Sequence, residues 1–266
     1  MRRRLDSELV RRRLVVSRNQ AVEAIASGRV RVAGAPALSP ARQVALDEPI
    51  TVSGPTSRFV SRGGEKLDHA LEHFRIDVRG RRALDAGAST GGFTDCLLQR
   101  GAASVVAVDV GHGQLAWKLR HDDRVAVLER TNVRELQPAD VGEAPSLCVA
   151  DLSFISLRVV APALARVTTP DADFVLLVKP QFEAGRRRVG KGGVVRDPSV
   201  HLDVLREVVA GLVPSGLVGT DVTPSPIRGA DGNVEFLLRA AKHGALVDDG
   251  ALVAAVDGTA KQGASS

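Results

Sequence analysis

Residues Leu84-Asp85-Ala86-Gly87-Ala88-Ser89-Thr90-Gly91-Gly92-Phe93 constrain the fold of this chain more than any other stretch. A short apolar run ends on an acid, and a loop of three glycines and small residues follows. Phe93, Cys96, Leu97 and Leu98 then start a helical periodicity. Strand, glycine loop and helix, in that order, open a nucleotide-sized site at the carboxyl edge of a doubly wound sheet. Glycines let the backbone approach a ligand, and the helix start offers free N–H donors. The spacing does not fit the dinucleotide fingerprint, which needs glycine where Ser89 stands.

Around this loop the pattern alternates. Strands are predicted over Arg82–Ala86, Ser104–Val110, Val125–Glu129, Ser146–Leu152, Asp173–Lys179, Leu217–Val222 and Val234–Ala240, with helical periodicities between most of them. Such alternation predicts a mostly parallel sheet covered on both faces. The last two strands are separated only by a loop, so a hairpin closes one edge. Residues 245–266 read as a C-terminal tail, small and polar from about Lys261.

The first 60 residues differ in character. They hold 11 Lys and Arg against 5 Asp and Glu, a net +6 in a chain whose total is +5. A basic module joined to a near-neutral one suits a polyanion partner. Asp6 or Ser7 is placed to cap a helix reaching about Arg13. Ser17-Arg18-Asn19-Gln20 opens a second helix with Ala21, Ala24 and Ile25 on one face, ending at Gly28. Val30–Val32 and Ile50–Val52 read as strands, and Ala33-Gly34 as a turn. The module spans residues 1–56. A linker at 57–61 follows the Ser53-Gly54-Pro55-Thr56-Ser57 stretch, and the larger domain covers 62–244. No aromatic precedes Phe59, which disfavours base stacking and favours recognition of folded RNA by shape and backbone. No apolar run is long enough to span a bilayer, and no signal peptide is legible. Cys96 and Cys148 are too few for a metal site and read as buried thiols in a cytoplasmic protein.

Chemistry-bearing residues gather at strand ends. Asp109 follows Asp85 by 24 positions and ends the next strand, where an acid accepts hydrogen bonds from ribose hydroxyls. Asn132, beyond the third strand, is placed for an adenine. Lys66 opens a helix after Ser61-Arg62-Gly63-Gly64, Asp151 ends the fourth strand, Lys179 the fifth, and Glu235 lies in the last. Charges beside apolar strands are costly unless paired, and two cations can balance two anions here. Arg186-Arg187-Arg188 and Lys191 form a basic, glycine-bearing loop just past Lys179. Trp117 and Phe154 are expected in the core.

The D-x-G-x-x-x-G-G loop resembles the one with which methyltransferases cradle S-adenosylmethionine. The N-terminal pattern (Arg4-Leu5-Asp6, Leu14, Ser17-Arg18, Ala21, Ile25, Gly28, Val30, Val32, Gly34) resembles an S4 RNA-binding domain. Lys66, Asp151, Lys179 and Glu235 match the quartet of FtsJ-like 2′-O-ribose methyltransferases. Together these motifs make the chain similar, over nearly its whole length, to the TlyA family of ribosomal RNA methyltransferases, often labelled hemolysins. The resemblance implies a Rossmann-like class I methyltransferase with a seven-stranded, mostly parallel sheet behind a small α+β S4-like domain. It implies S-adenosylmethionine held by Asp85, Gly87, Ala88, Ser89, Thr90, Gly91, Gly92, Phe93, Asp109 and Asn132, with Asp85 at the methionine end. It implies 2′-O-methylation of cytidines in 16S and 23S rRNA within 30S and 50S subunits, with no membrane, DNA or metal involved. One departure lies in the linker, where Phe59 stands in place of a tryptophan.

Ribose hydroxyls are poor nucleophiles, so a base must take the proton during attack on a methyl group. Lys179 is the expected base, Asp151 its orienting partner, and Lys66 with Glu235 the pair that holds the ribose. Arg4, Arg11, Arg12, Arg13, Arg18, Arg29, Arg31, Arg62, Arg186, Arg187, Arg188 and Lys191 are expected on RNA phosphates. Three other functions predict different observables: a non-catalytic assembly factor would bind subunits without cofactor, a pore-former would release dye from liposomes, and an NAD-dependent oxidoreductase would bind that cofactor instead.

Overall fold

The computed structural model describes residues 2–15, 17–53, 58–229 and 232–263. The N-terminal module runs β1 (Arg2–Arg4), α1 (Leu5–Arg11), α2 (Arg18–Ala26), β2 (Val30–Val32), β3 (Ala35–Pro36), β4 (Gln43–Ala45) and β5 (Ile50–Val52). Leu5, Leu9, Ala21, Ala24, Ile25, Val30, Val32 and Val44 form its core. The second helix starts as expected, Ser17 Oγ accepting from the Gln20 amide at 3.2 Å. The first does not. It begins at Leu5 behind Arg4 and has no side-chain cap, because Asp6 is buried and committed to Arg4 and Arg18, both at 2.9 Å. Ala33 and Gly34 both take positive φ, 50° and 79°, the two-residue turn that matches strand twist between β2 and β3.

The larger domain continues with α3 (Gly63–His73), β6 (Arg82–Ala86), α4 (Gly92–Gln99), β7 (Ser104–Val108), α5 (Trp117–Arg120), β8 (Val125–Leu128), α6 (Pro138–Val141) and β9 (Leu147–Ala150). It ends with α7 (Leu157–Val167), β10 (Asp173–Val178), α8 (Pro180–Glu183), α9 (Pro198–Leu212), β11 (Val218–Pro224), β12 (Phe236–Ala241) and α10 (Asp249–Gly263). The seven strands lie in the order β11-β12-β10-β9-β6-β7-β8. Five central and edge strands pair in parallel, and β12 runs antiparallel between β10 and β11. Each face carries its own apolar cluster, one under α7, α9 and α10 and the other under α3 and α4.

Where the sequence suggests a tail from residue 245, the chain forms α10. Leu252, Ala255 and Val256 join the core, and Arg206 pairs with Asp249 at 2.6 Å. Residues 264–266 and 54–57 lie outside the described parts, the latter including the start of the expected linker. The segment 58–60 is tightly held. Phe59 is 1% exposed. Its carbonyl accepts from Gln20 Nε2 at 2.5 Å and that of Val60 from Ser17 Oγ at 2.9 Å. The Val60 amide donates to Asp95 Oδ2 at 2.8 Å. Helix α2 is thereby docked against the segment leading into the larger domain.

Candidate active site

Parallel strands share one carboxyl edge, and the register gathers the chemistry there. Leu176 of β10 faces Ala150 of β9, so Asp151 and Lys179 leave the sheet beside one another. Because β12 is antiparallel, its amino end meets the same edge: Val178 pairs with Phe236, and Glu235 precedes it. Lys179 Nζ lies 2.5 Å from Asp151 Oδ1 and donates to Ser153 Oγ at 3.2 Å. Lys66, projecting from α3, bonds to Glu235. Both are buried, at 8% and 3% exposure.

A cavity of about 290 Å³ is bordered by Lys66, Asp151, Ser153 and Lys179, by Ser61, Arg62 and Gly63 on one side, and by Gly87 to Thr90, Gly92 and Phe93 on another. A second of about 450 Å³ shares Gly87, Ser89, Asp151 and Ser153 with it, so the two adjoin. Asp109, Gln114, Thr131 and Asn132 give the second its polar contacts, and Val110, Leu152, Ile155 and Val160 its apolar wall. Both sizes suit small-molecule sites. Asp109 is fixed by the Ser89 amide at 2.7 Å and the Gly111 amide at 2.6 Å. Each carboxylate oxygen takes one amide and keeps a lone pair for a hydroxyl.

Three expected positions differ. Asp85 lines neither cavity. Strand alternation places Leu84 and Ala86 in one core cluster and turns Asp85 to the other face, fully buried, where Thr94 Oγ1 donates to its Oδ2 at 2.6 Å. Gly91 also lines neither. Its φ is 95°, and a Cβ there would strike Leu119 and Leu115 of the segment behind, so the loop needs glycine for packing. Glu235 borders neither of these two cavities; it is 3% exposed and pairs with Lys66, which does border the smaller one. Trp117 and Phe154, expected in the core, are 74% and 90% exposed. Phe154 takes φ 63°, which throws its ring to the rim of the larger cavity, 4.9 Å from Phe182.

Burial pushes the Asp85 carboxyl up to about 7, opposed by the Thr94 hydrogen bond and reinforced by Asp151. The native state then keeps a proton that the unfolded chain has released. Its contribution to stability is greatest below about pH 4 and declines as pH rises towards 7. Asp85→Asn should remove that decline: the melting temperature of the variant relative to the wild type should rise steadily between pH 4 and pH 8. Parallel curves for the two proteins would sink this.

The basic residues divide similarly. Arg11 and Arg12 both hold buried Glu8, and Arg12 also donates to the carbonyls of Ala45, Leu46 and Glu48, a structural staple rather than a phosphate ligand. Arg4 and Arg18 engage Asp6, Arg188 engages Glu207 at 2.8 Å, and Arg29 donates to Ser27 Oγ. Arg13, Arg31, Arg186, Arg187 and Lys191 are exposed. Sequence reasoning missed Ser61, Gln114, Ser153 and Glu23, which loop conformation and docking of α2 bring to the cavities. Among the described residues, no group of three or more His, Cys, Asp or Glu could hold a metal ion, and no helix is long and apolar enough to cross a membrane.

A seven-stranded sheet of this order, with a glycine loop and a paired-lysine centre at its carboxyl edge, defines an S-adenosylmethionine-dependent methyltransferase domain, here joined to an S4 module. The FtsJ-like methyltransferase family matches residues 59–242 and the S4 domain residues 3–50. The chain is 55% identical to the 16S/23S rRNA (cytidine-2′-O)-methyltransferase TlyA of Mycobacterium tuberculosis over 89% of both chains. It is 41% identical to Hemolysin A of Brachyspira hyodysenteriae, over 88% of this chain and 98% of that one. A solved structure described as a hemolysin, from Streptococcus thermophilus, superposes with a TM-score of 0.81 at 39% identity, covering 99% of this chain and 98% of the other. The chain belongs to the TlyA family of FtsJ-like methyltransferases.

Proposed function

We propose that the protein methylates the ribose 2′-hydroxyl of cytidines in 16S and 23S rRNA, within 30S and 50S subunits, using S-adenosylmethionine, with Lys179 as the base. The observation that carries this reading is the Lys179–Asp151 pair at 2.5 Å, with Lys179 on the smaller cavity and Asp151 on both.

S-adenosylmethionine supplies an electrophilic methyl group. The larger cavity would hold its adenosine part, Asp109 accepting from ribose hydroxyls while Val110, Leu152 and Ile155 flank the adenine. Gly87, Ala88, Ser89, Thr90, Gly92 and Phe93 border the smaller cavity, where the methionine part and the acceptor must meet. Lys179 Nζ takes the proton of the attacking hydroxyl, and Asp151 fixes the direction of its lone pair. Lys66, locked by Glu235, presents a positive charge to the oxygen as it becomes anionic. The exposed ring of Phe154 offers the target nucleotide a flat apolar face at the rim. Arg13, Arg31, Arg186, Arg187 and Lys191 would contact phosphates, and Asn233 steadies the loop carrying the last three by bonding the Val195 amide and the Gly193 carbonyl, both at 3.2 Å. An enzyme that acts on ribosomal subunits resides in the cytoplasm.

The test is transfer of a labelled methyl group to 30S and 50S subunits lacking the modification, followed by mapping of modified nucleotides. Labelled cytidine 2′-oxygens in both rRNAs are expected. No transfer to either subunit would overturn the reading.

A further inference from the structure

The smaller cavity is bordered by three cations, and each has its own carboxylate. Lys66 is held by Glu235 and Lys179 by Asp151, inside the larger domain. The third, Arg62, is held by Glu23 of α2, Nε to Oε1 at 3.2 Å. This pair alone of the three joins the two modules, and both its members border the cavity. It is also the most hydrated: the side chains are 52% and 43% exposed, against 10% and 3% for Lys66 and Glu235. Helix α2 cannot drift away with its glutamate, because Ser17 and Gln20 bind the carbonyls of Val60 and Phe59.

A carboxylate at the mouth of a site for a polyanion repels its substrate, so its position asks for a reason. We propose that Glu23 is a placeholder for an RNA phosphodiester: it holds the Arg62 guanidinium at the rim, and a backbone phosphate next to the target nucleotide displaces it. This rests on the RNA substrate proposed above and adds a subsite and its resting occupant. A guanidinium fork matches carboxylate and phosphate oxygens alike, so one can replace the other without moving Arg62. An exposed pair of this kind is worth at most about 1 kcal/mol, roughly a fivefold change in affinity, which a phosphate brought in by the rest of the RNA can overcome.

The test is a double-mutant cycle on affinity for an unmethylated ribosomal RNA transcript, measured over a series of salt concentrations. Glu23→Gln frees Arg62 and should tighten binding about twofold to fivefold at low salt, with a steeper salt dependence. Arg62→Gln should weaken binding, and adding Glu23→Gln to it should then gain clearly less than it does in the wild-type background. An equal gain in both backgrounds would mean that Glu23 merely repels RNA, and would overturn the exchange. So would a loss of affinity in Glu23→Gln alone. Failure of the wild-type protein to bind the transcript would instead overturn the RNA function, and this subsite with it.

Discussion

Lys179→Met should abolish methyl transfer while leaving the protein folded and able to bind its cofactor. A positioned general base contributes about a hundredfold to ten-thousandfold, and the lost rate should fall in that range or below detection. The side chain is 11% exposed, so a methionine of similar length fits the space. Asp151, left without its lysine, is 24% exposed and can be hydrated in place, which limits the cost to stability. The larger cavity, where adenosine is expected, has Asp109, Gln114, Thr131, Asn132 and Asp151 among its polar residues beside an apolar wall, and does not include Lys179. S-adenosylmethionine affinity by calorimetry should therefore change only a few-fold. Lys66→Met makes the contrast. Its partner Glu235 is 3% exposed, and a buried charge stripped of its partner costs about 3–5 kcal/mol. That variant should lose melting temperature as well as rate. If Lys179→Met transferred methyl groups at a tenth of the wild-type rate or faster, lysine would not be the base.

Much of this centre is legible because it depends on strand order. Asp109, Asp151 and Lys179 each directly follow an apolar strand, and parallel strands must end at one edge. Glu235 needs one further step, the reversal of β12, which the absence of a helical pattern between the last two strands signals. Other features depend on information that residue spacing does not carry. Asp85 ends a strand and so reads as a ligand contact, yet period-two alternation turns it towards Thr94. Phe154 reads as core because it is aromatic, and a positive φ turns it outward. Arg12 reads as a phosphate ligand although Glu8 stands four residues before it, a spacing that brings two side chains together on a helix. The polar contacts of Ser61, Ser153 and Glu23 arise from loop paths and from the docking of one module on the other, neither of which is periodic.

Gly87→Ala should remove cofactor binding more thoroughly than loss of any single polar contact. Residue 87 sits where the two cavities join, at φ 88°, a region that residues with a Cβ rarely enter. Its amide donates to the Val108 carbonyl at 2.8 Å, so the loop cannot rotate to relieve strain without breaking the link between β6 and β7. A Cβ there would overlap the carbonyl oxygen of Asp151, which is backbone and follows β9 directly. Relief requires moving the loop away from β9 or Asp151 away from Lys179, and either displaces part of the site. Positive φ and overpacking together should lower stability by about 2–5 kcal/mol. At a temperature where the variant is still folded, S-adenosylmethionine affinity should fall at least a hundredfold, with transfer lost in parallel, since the strain acts on both cavities at once. Gly113→Ala is the control: that glycine also has positive φ, 71°, but a Cβ there meets nothing within 4 Å. It should lose a little stability and keep its cofactor affinity. Equal losses in the two variants would mean that backbone strain alone, and not the contact with Asp151, governs the site.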